Sequence, residues 1–212
     1  MTVVFSGLDG TLIESVIPRV VDGCFRKTGI RPRNFKEILR SSSNKNKILF
    51  EKYQDIFNEE ILKAKPIPET VKALESLPPK VQIVISSYAP EETTKKWLEK
   101  NNLETYLHFG REDGNKTIQI KKALRIDEYS RAIFIANDPA DFNINRVMAG
   151  LRVRKIAVNV NPFHQFPKGT CVHSGPLTKS ILCRNYRRLI SPPSFFIDQI
   201  FILCILLIGT LP

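Results

Sequence analysis

The sequence predicts an α/β fold: a Rossmann-like parallel sheet with helices on both faces and a small helical unit inserted near the N-terminus. Three observations lead to it. From residue 66 onward, short β-branched runs of strand length alternate with stretches of helical periodicity, the order that builds βαβ units. The opening run "VVFSGLDGTL" (3–12) passes from an apolar strand into a glycine-containing turn that carries a carboxylate, Asp9. Between that turn and the next regular helix, residues 15–65 hold no convincing strand and read as helical and polar.

Residues 3–6 form the first strand, apolar enough to be buried on both faces. "ETVKALESL" (69–77) is a helix, because Val71, Leu74 and Leu77 fall at helical spacing. "VQIVISS" (81–87) is a β-branched strand that ends in two hydroxyls. "EETTKKWLEKN" (91–101) is helical, with Trp97 read as core and not as a ligand platform, and a short strand follows near 106–109. "TIQIKKALRI" (117–126) is helix and "AIFIAN" (132–137) strand. "ADFNINRVMAG" (140–150) is helix closed by Gly150, and "KIAVNV" (155–160) is strand. Within the insertion, "SSSNKNK" (41–47) is a polar break between helices. The expected organisation is a core of residues 1–14 and 66–182, a lid-like helical insertion over 15–65, and a basic linker with a hydrophobic tail over 183–212. The insertion also reads as ordinary crossover helices of the core.

With 212 residues, 42% of them hydrophobic and 25% charged, the chain can bury a substantial core in one domain with an insertion. A formal net charge of +11 favours anionic partners: phosphorylated metabolites, nucleic acid or an anionic membrane face. A merely solvated basic surface explains it equally well. The insertion carries twelve Lys/Arg against six Asp/Glu. No basic–aromatic interleaving of the kind that stacks bases is present, so no specific nucleic-acid binding is expected. Cys24, Cys171, Cys183 and Cys204 form no CxxC pair, and His108, His164 and His173 are scattered, so no zinc site is expected. Scattered thiols and a start directly on a strand predict a reduced, cytoplasmic protein without a secretory leader.

The C-terminus changes character. Residues 195–212 are almost wholly apolar, yet the uninterrupted part from Ile200 spans 13 residues, short of the roughly 20 that a bilayer span needs. Arg184, Arg187 and Arg188 lie just upstream, on the side expected to stay cytosolic. Three readings stand: a C-terminal membrane anchor that gives membrane contact through 195–212, a helix docked on the body, or a sequence altered by a changed reading frame. The first is slightly preferred.

Parallel α/β sheets bind ligands at the carboxyl ends of their strands. Those ends carry Gly7, Asp9, Gly10 and Thr11 after the first strand, then Ser86 and Ser87. Lys116 stands ahead of a helix, and Asn137, Asp138 and Asp141 follow "AIFIA". Carboxylates, hydroxyls, a lysine and loop amides are the groups that hold a phosphoryl group and a divalent metal. Taken singly, each has an ordinary explanation: Asp9-Gly10 a turn, Lys116 a solvated lysine, Asp141 an acid in the first turn of a helix.

In this order the residues resemble the haloacid dehalogenase (HAD) superfamily, mainly phosphatases, over residues 1 to about 180. "GLDGT" (7–11) stands where the family has DxDGT, Ser86 closes "IVIS", Lys116 precedes a helix, and "ANDPADFNINRVMAG" places Asn137 and Asp141 on the two acids of GDxxxD. The insertion matches the family's helical C1 cap in position. The resemblance implies a phosphatase for small phosphorylated substrates, with Asp9 as general acid and base, and Ser86 and Lys116 orienting the phosphoryl oxygens. Gly10, Thr11 and Ser87 join those two in holding phosphate. It implies Mg²⁺ held through Asp9, Asn137 and Asp141.

Two departures stand out. The acid that attacks phosphorus is replaced by Gly7, and the first acid of the last motif by Asn137. The family set of four Asp and one Lys, formally −3, becomes Asp9, Asp141 and Lys116, formally −1, with Asp138 nearby. The metal site is weakened and the covalent route is lost. Water attack with Asp9 as base would be far slower. Anion binding needs less and is expected to survive. Ser6 faces away on its strand, Cys24 lies in the insertion, and a shift of Asp138 would repair the metal side alone. A weak or inactive hydrolase and a non-catalytic phosphate-binding or scaffold module are the two readings.

Overall fold

The computed structural model describes residues 1–29, 31–32, 35–40, 44–144 and 146–191. Strand β1 (Thr2–Gly7) is buried along its whole length, as its unbroken apolar run requires. It is followed by three helices, α1 (Ile17–Thr28), α2 (Phe35–Arg40) and α3 (Asn44–Lys63). The chain then runs through α4 (Pro68–Glu75), β2 (Val81–Ser86), α5 (Glu91–Lys100) and β3 (Leu107–Phe109). It continues with α6 (Lys116–Ala123), β4 (Arg131–Ala136), β5 (Arg152–Ala157), β6 (Thr170–Val172) and α7 (Lys179–Ile190).

The strands form one sheet in the order β3-β2-β1-β4-β5-β6, and all neighbours are parallel. The chain builds outward from β1 to β3, crosses back, and builds outward again from β4. The switch point therefore lies between β1 and β4, where α/β sheets open a crevice. Register brings Gly7 opposite Ser86, and Ser6 opposite Ile135, so the ends of β1, β2 and β4 share one edge. One apolar cluster packs Val4, Ile83, Ile133 and Ile156 of the sheet against α4, α5, α7 and the inserted helices. A second, with Phe5, Phe134, Phe142 and Met148, fills the opposite face. The fold is thus the expected parallel sheet covered on both sides.

Three helices lie in the described part of residues 15–65, and α1 is closed by Gly29 in the left-handed region, φ 69°. Phe35 and Phe50 pack on Phe57 at centroid distances of 5.9 and 6.0 Å and tie α2 and α3 together. The polar break at 41–47 falls in part outside the described residues, and 44–47 belong to α3. Trp97 is fully buried, and its Nε1 donates to the Ala64 carbonyl at 2.8 Å, so α5 holds the C-terminal end of the insertion as core.

Three expectations are corrected, and one strand is added. Residues 140–150 do not form a helix: a 3₁₀ turn (Pro139–Phe142) is followed by irregular turns. Asn143 leaves the helical region at ψ 55°, while Phe142, Ile144 and Met148 still bury their side chains. Asn is a poor helix former, because its amide competes with the backbone. Strand β5 runs over Arg152–Ala157, three residues earlier than expected, since pairing with β4 outweighs its charged beginning. Strand β6 was not anticipated. Residues 183–190 are no linker but the body of α7, which buries Leu182, Asn185 and Leu189. The tail at 195–212 lies outside the described residues. Among those described, no helix is long and apolar enough to cross a membrane.

Candidate functional site

The turn after β1 closes on the Leu8 carbonyl, which accepts from the Thr11, Leu12 and Ile13 amides at 3.3, 2.9 and 3.1 Å. Gly10 makes this turn at φ 71°. A Cβ there would also lie 1.8 Å from Asn137 Nδ2, so the position requires glycine twice over. Asn159 Nδ2 donates to the Gly10 carbonyl at 3.3 Å, which fixes the turn from the β5 side.

Asp9 faces the start of α1. Its Oδ1 accepts from the Val16 amide at 2.6 Å and its Oδ2 from Ser15 Oγ at 3.1 Å. Burial pushes its carboxyl above the usual carboxylate range and outweighs the bonds from Val16 and Ser15 and the weaker pull of Lys36 and Lys116. The carboxylate thus ties the β1 turn to the start of α1.

Gly7 points into the site. A side chain starting there would place its Cβ 3.0 Å from Thr11 Oγ1 and 3.4 Å from Lys116 Nζ. The end of β1 is thus empty of side chain here, with a hydroxyl and an ammonium close around it. Thr11 is fully buried, and its Oγ1 finds no hydrogen-bond partner among the described residues.

Lys116 is the first residue of α6, capped by Asn115, whose Oδ1 accepts from the Ile118 amide at 3.1 Å. Its Nζ lies 2.5 Å from Asp141 Oδ2 and 5.1 Å from the centre of the Tyr88 ring. The Tyr88 hydroxyl donates to the other Asp141 oxygen at 3.3 Å. Asp138 caps the turn after β4, accepting from the Ala140 amide at 3.1 Å, and its Oδ2 receives Lys36 Nζ from α2 at 3.0 Å.

The two hydroxyls after β2 differ. Gln119, one turn after Lys116 and fully buried, shares its Nε2 among the Ser87, Gly110 and Gly114 carbonyls at 2.8, 2.7 and 2.9 Å. That fixes its amide orientation, so its Oε1 accepts the Ser86 proton at 2.7 Å. Ser87 Oγ instead accepts from the Ala89 amide at 2.9 Å and keeps its own proton for donation.

Asp9, Ser86, Ser87, Lys116, Asn137 and Asp141 meet around one small cavity of about 40 Å³. Lys36, Leu39, Ile17 and Phe57 of the insertion close it from above. A wider cleft of about 800 Å³ opens behind the Gly10 turn, with Asn137 between the two. Cys24 is buried inside the insertion and does not line the cavity.

Sequence reasoning missed Lys36, Tyr88 and Gln119. Two of them had a signal: Tyr88 follows the paired serines directly, and Gln119 shares the face of Lys116 one turn on. Lys36 had none, being 102 residues from its partner.

The residues present do not fit Mg²⁺. Among those described, no group of three or more His, Cys, Asp or Glu is placed to hold a metal. Gly7 offers no side-chain oxygen, and each carboxylate around the cavity already carries a lysine or two donors.

No family model and no curated protein matches the chain. Solved structures do. A haloacid dehalogenase-like family hydrolase from Streptococcus pneumoniae is similar at TM-score 0.64 and 16% identity, over 87% of this chain and 97% of its own. A candidate HAD-hydrolase from Bacillus subtilis, solved bound to magnesium, is similar at 0.59 and 15%, over 90% and 98%. A candidate phosphoglycolate phosphatase from Lactobacillus plantarum is similar at 0.62 and 12%, over 86% and 97%. At these identities the likeness is one of architecture, and it establishes that this chain has the haloacid dehalogenase-like fold.

Proposed function

We propose that this chain is a hydrolase-fold protein that binds phosphate or a small phosphorylated molecule and turns it over weakly or not at all. The observation that carries the reading is Gly7: the strand end that would present a nucleophile to Lys116 presents no side chain. What remains suits anion binding. Lys116 supplies charge and Ser87 a free hydroxyl proton at the cavity, and Thr11, beside its lining, has a buried hydroxyl with no partner among the described residues. An entering phosphoryl group competes with Asp141 for Lys116 and must part the inserted helices, since the closed cavity has room for little more than a water or a small ion.

Asp9 retains a role in residual chemistry. A carboxyl held above its usual range keeps a proton to higher pH and suits protonation of a leaving oxygen. Without an attacking carboxylate only direct water attack remains, which separates a weak hydrolase from a binding-only module by rate alone. Titration calorimetry with inorganic phosphate tests the binding itself. Saturable binding is expected, weakened at least about tenfold in Lys116→Ala through loss of the charged hydrogen bond. A folded wild-type protein that binds no phosphate overturns the proposal.

A further inference from the structure

We infer that Lys36 is the resident cation of this pocket: its ammonium group pairs with Asp138 and supplies positive charge that a divalent metal ion would otherwise have to bring. This stands independently of whether phosphate binds.

Asp138 is the carboxylate that matters. It neighbours Asn137, so a small shift would bring an acid back to the position that Asn137 has lost. The structure holds it elsewhere. Its Oδ2 takes Lys36 Nζ at 3.0 Å and its Oδ1 the Ala140 amide at 3.1 Å. Lys36 comes from α2, far away in the chain, and lines the cavity together with Leu39 and Phe57. The Asp138 side chain is 11% exposed and that of Lys36 37%, so solvent screens the pair from the lysine side.

Charge leads to the same place. Around the cavity stand three carboxylates, Asp9, Asp138 and Asp141, and two ammonium groups, Lys36 and Lys116. Their formal sum is −1. Four carboxylates and one lysine would stand at −3 and reach −1 only by taking up a divalent ion. Lys36 supplies the missing compensation, and a metal ion arriving beside it would meet like-charge repulsion. The same contact pins α2 to the turn after β4, so neutralising the pocket and closing it are one event.

The test uses the full chain with Lys36→Met, which keeps the stem and removes the charge, and Lys36→Gln as a second neutral form should the first not fold. Mn²⁺ binding is followed by electron paramagnetic resonance, and thermal unfolding is followed with and without millimolar Mg²⁺. The wild type is expected to bind no Mn²⁺ saturably and to show no Mg²⁺-dependent shift. The neutral variant is expected to gain a saturable Mn²⁺ site and a rise in Tm of about 2–4 °C with Mg²⁺. Adding Asp138→Asn should abolish both gains. Stoichiometric metal binding by the wild type overturns the inference, and so does a folded neutral variant that gains none. Phosphate binding is measured separately, so its failure leaves this result intact.

Discussion

At the scale of single residues, the pocket is governed by what two side chains lack and what one retains. Gly10 cannot be replaced: Gly10→Ala puts a Cβ 1.8 Å from the Asn137 amide at a positive φ. It should cost about 1–3 kcal/mol, read by urea unfolding. Asp9 is buried with its carboxyl raised above the ordinary value, so the unfolded state loses its proton first as pH rises. Its contribution to stability is complete below the unfolded value and falls away as pH rises through the folded one. Asp9→Asn should therefore raise Tm, relative to wild type, more at pH 7 than near pH 4, and an equal change at both would contradict the assigned cause. The sequence places Gly7, Asp9, Ser86, Lys116, Asn137 and Asp141 at or just beyond the ends of recognisable elements, and the structure brings all of them but Gly7 to the lining of one cavity. Lys36 was not legible in the sequence, since nothing local marks a lysine that meets its partner only after folding. The unequal standing of Ser86 and Ser87 was also hidden, because it depends on which way the Gln119 amide turns.

At the scale of elements, the insertion is fastened by a few contacts that a sequence does not announce. The Trp97 indole anchors the end of α3, Arg111 donates to the Leu39 carbonyl of α2, and its guanidinium lies 4.0 Å from the Phe50 ring centre. Trp97→Ala should cost about 3–5 kcal/mol, as removal of a fully buried aromatic does, and is measured by equilibrium unfolding. Strong periodicity made β1, β2, β4, α4 and α5 readable. The stretch after β4 was misread because "NIN" places Asn on both sides of a buried Ile, a pattern whose period imitates a helix while its local chemistry opposes one. Helix α7 went unread because its arginines drew attention to charge, although Leu182 and Leu189 lie on one buried face. Leu182→Ala should cost about 2–5 kcal/mol if α7 is part of the core, and close to nothing if it is a linker.

At the scale of the whole molecule, the proposed phosphate-binding site is one in which Gly7 presents no side chain to Lys116 and two of the three cavity carboxylates, Asp138 and Asp141, are paired with lysines. Restoring acids with Gly7→Asp and Asn137→Asp should raise phosphate release from an aryl phosphate at least about tenfold, because a covalent route reopens. Some stability will be lost, since the new Cβ at position 7 begins 3.0 Å from Thr11 Oγ1 and the threonine must give way. The central claim is that the natural chain binds but does not turn over by the metal-assisted route. The most direct measurement is phosphate release from an aryl phosphate by the unaltered protein, in Mg²⁺ and in chelator, beside the Asp9→Asn, Lys116→Ala double variant. The account predicts equal, near-background rates in all of these conditions. Mg²⁺-stimulated release that disappears in the double variant would contradict it.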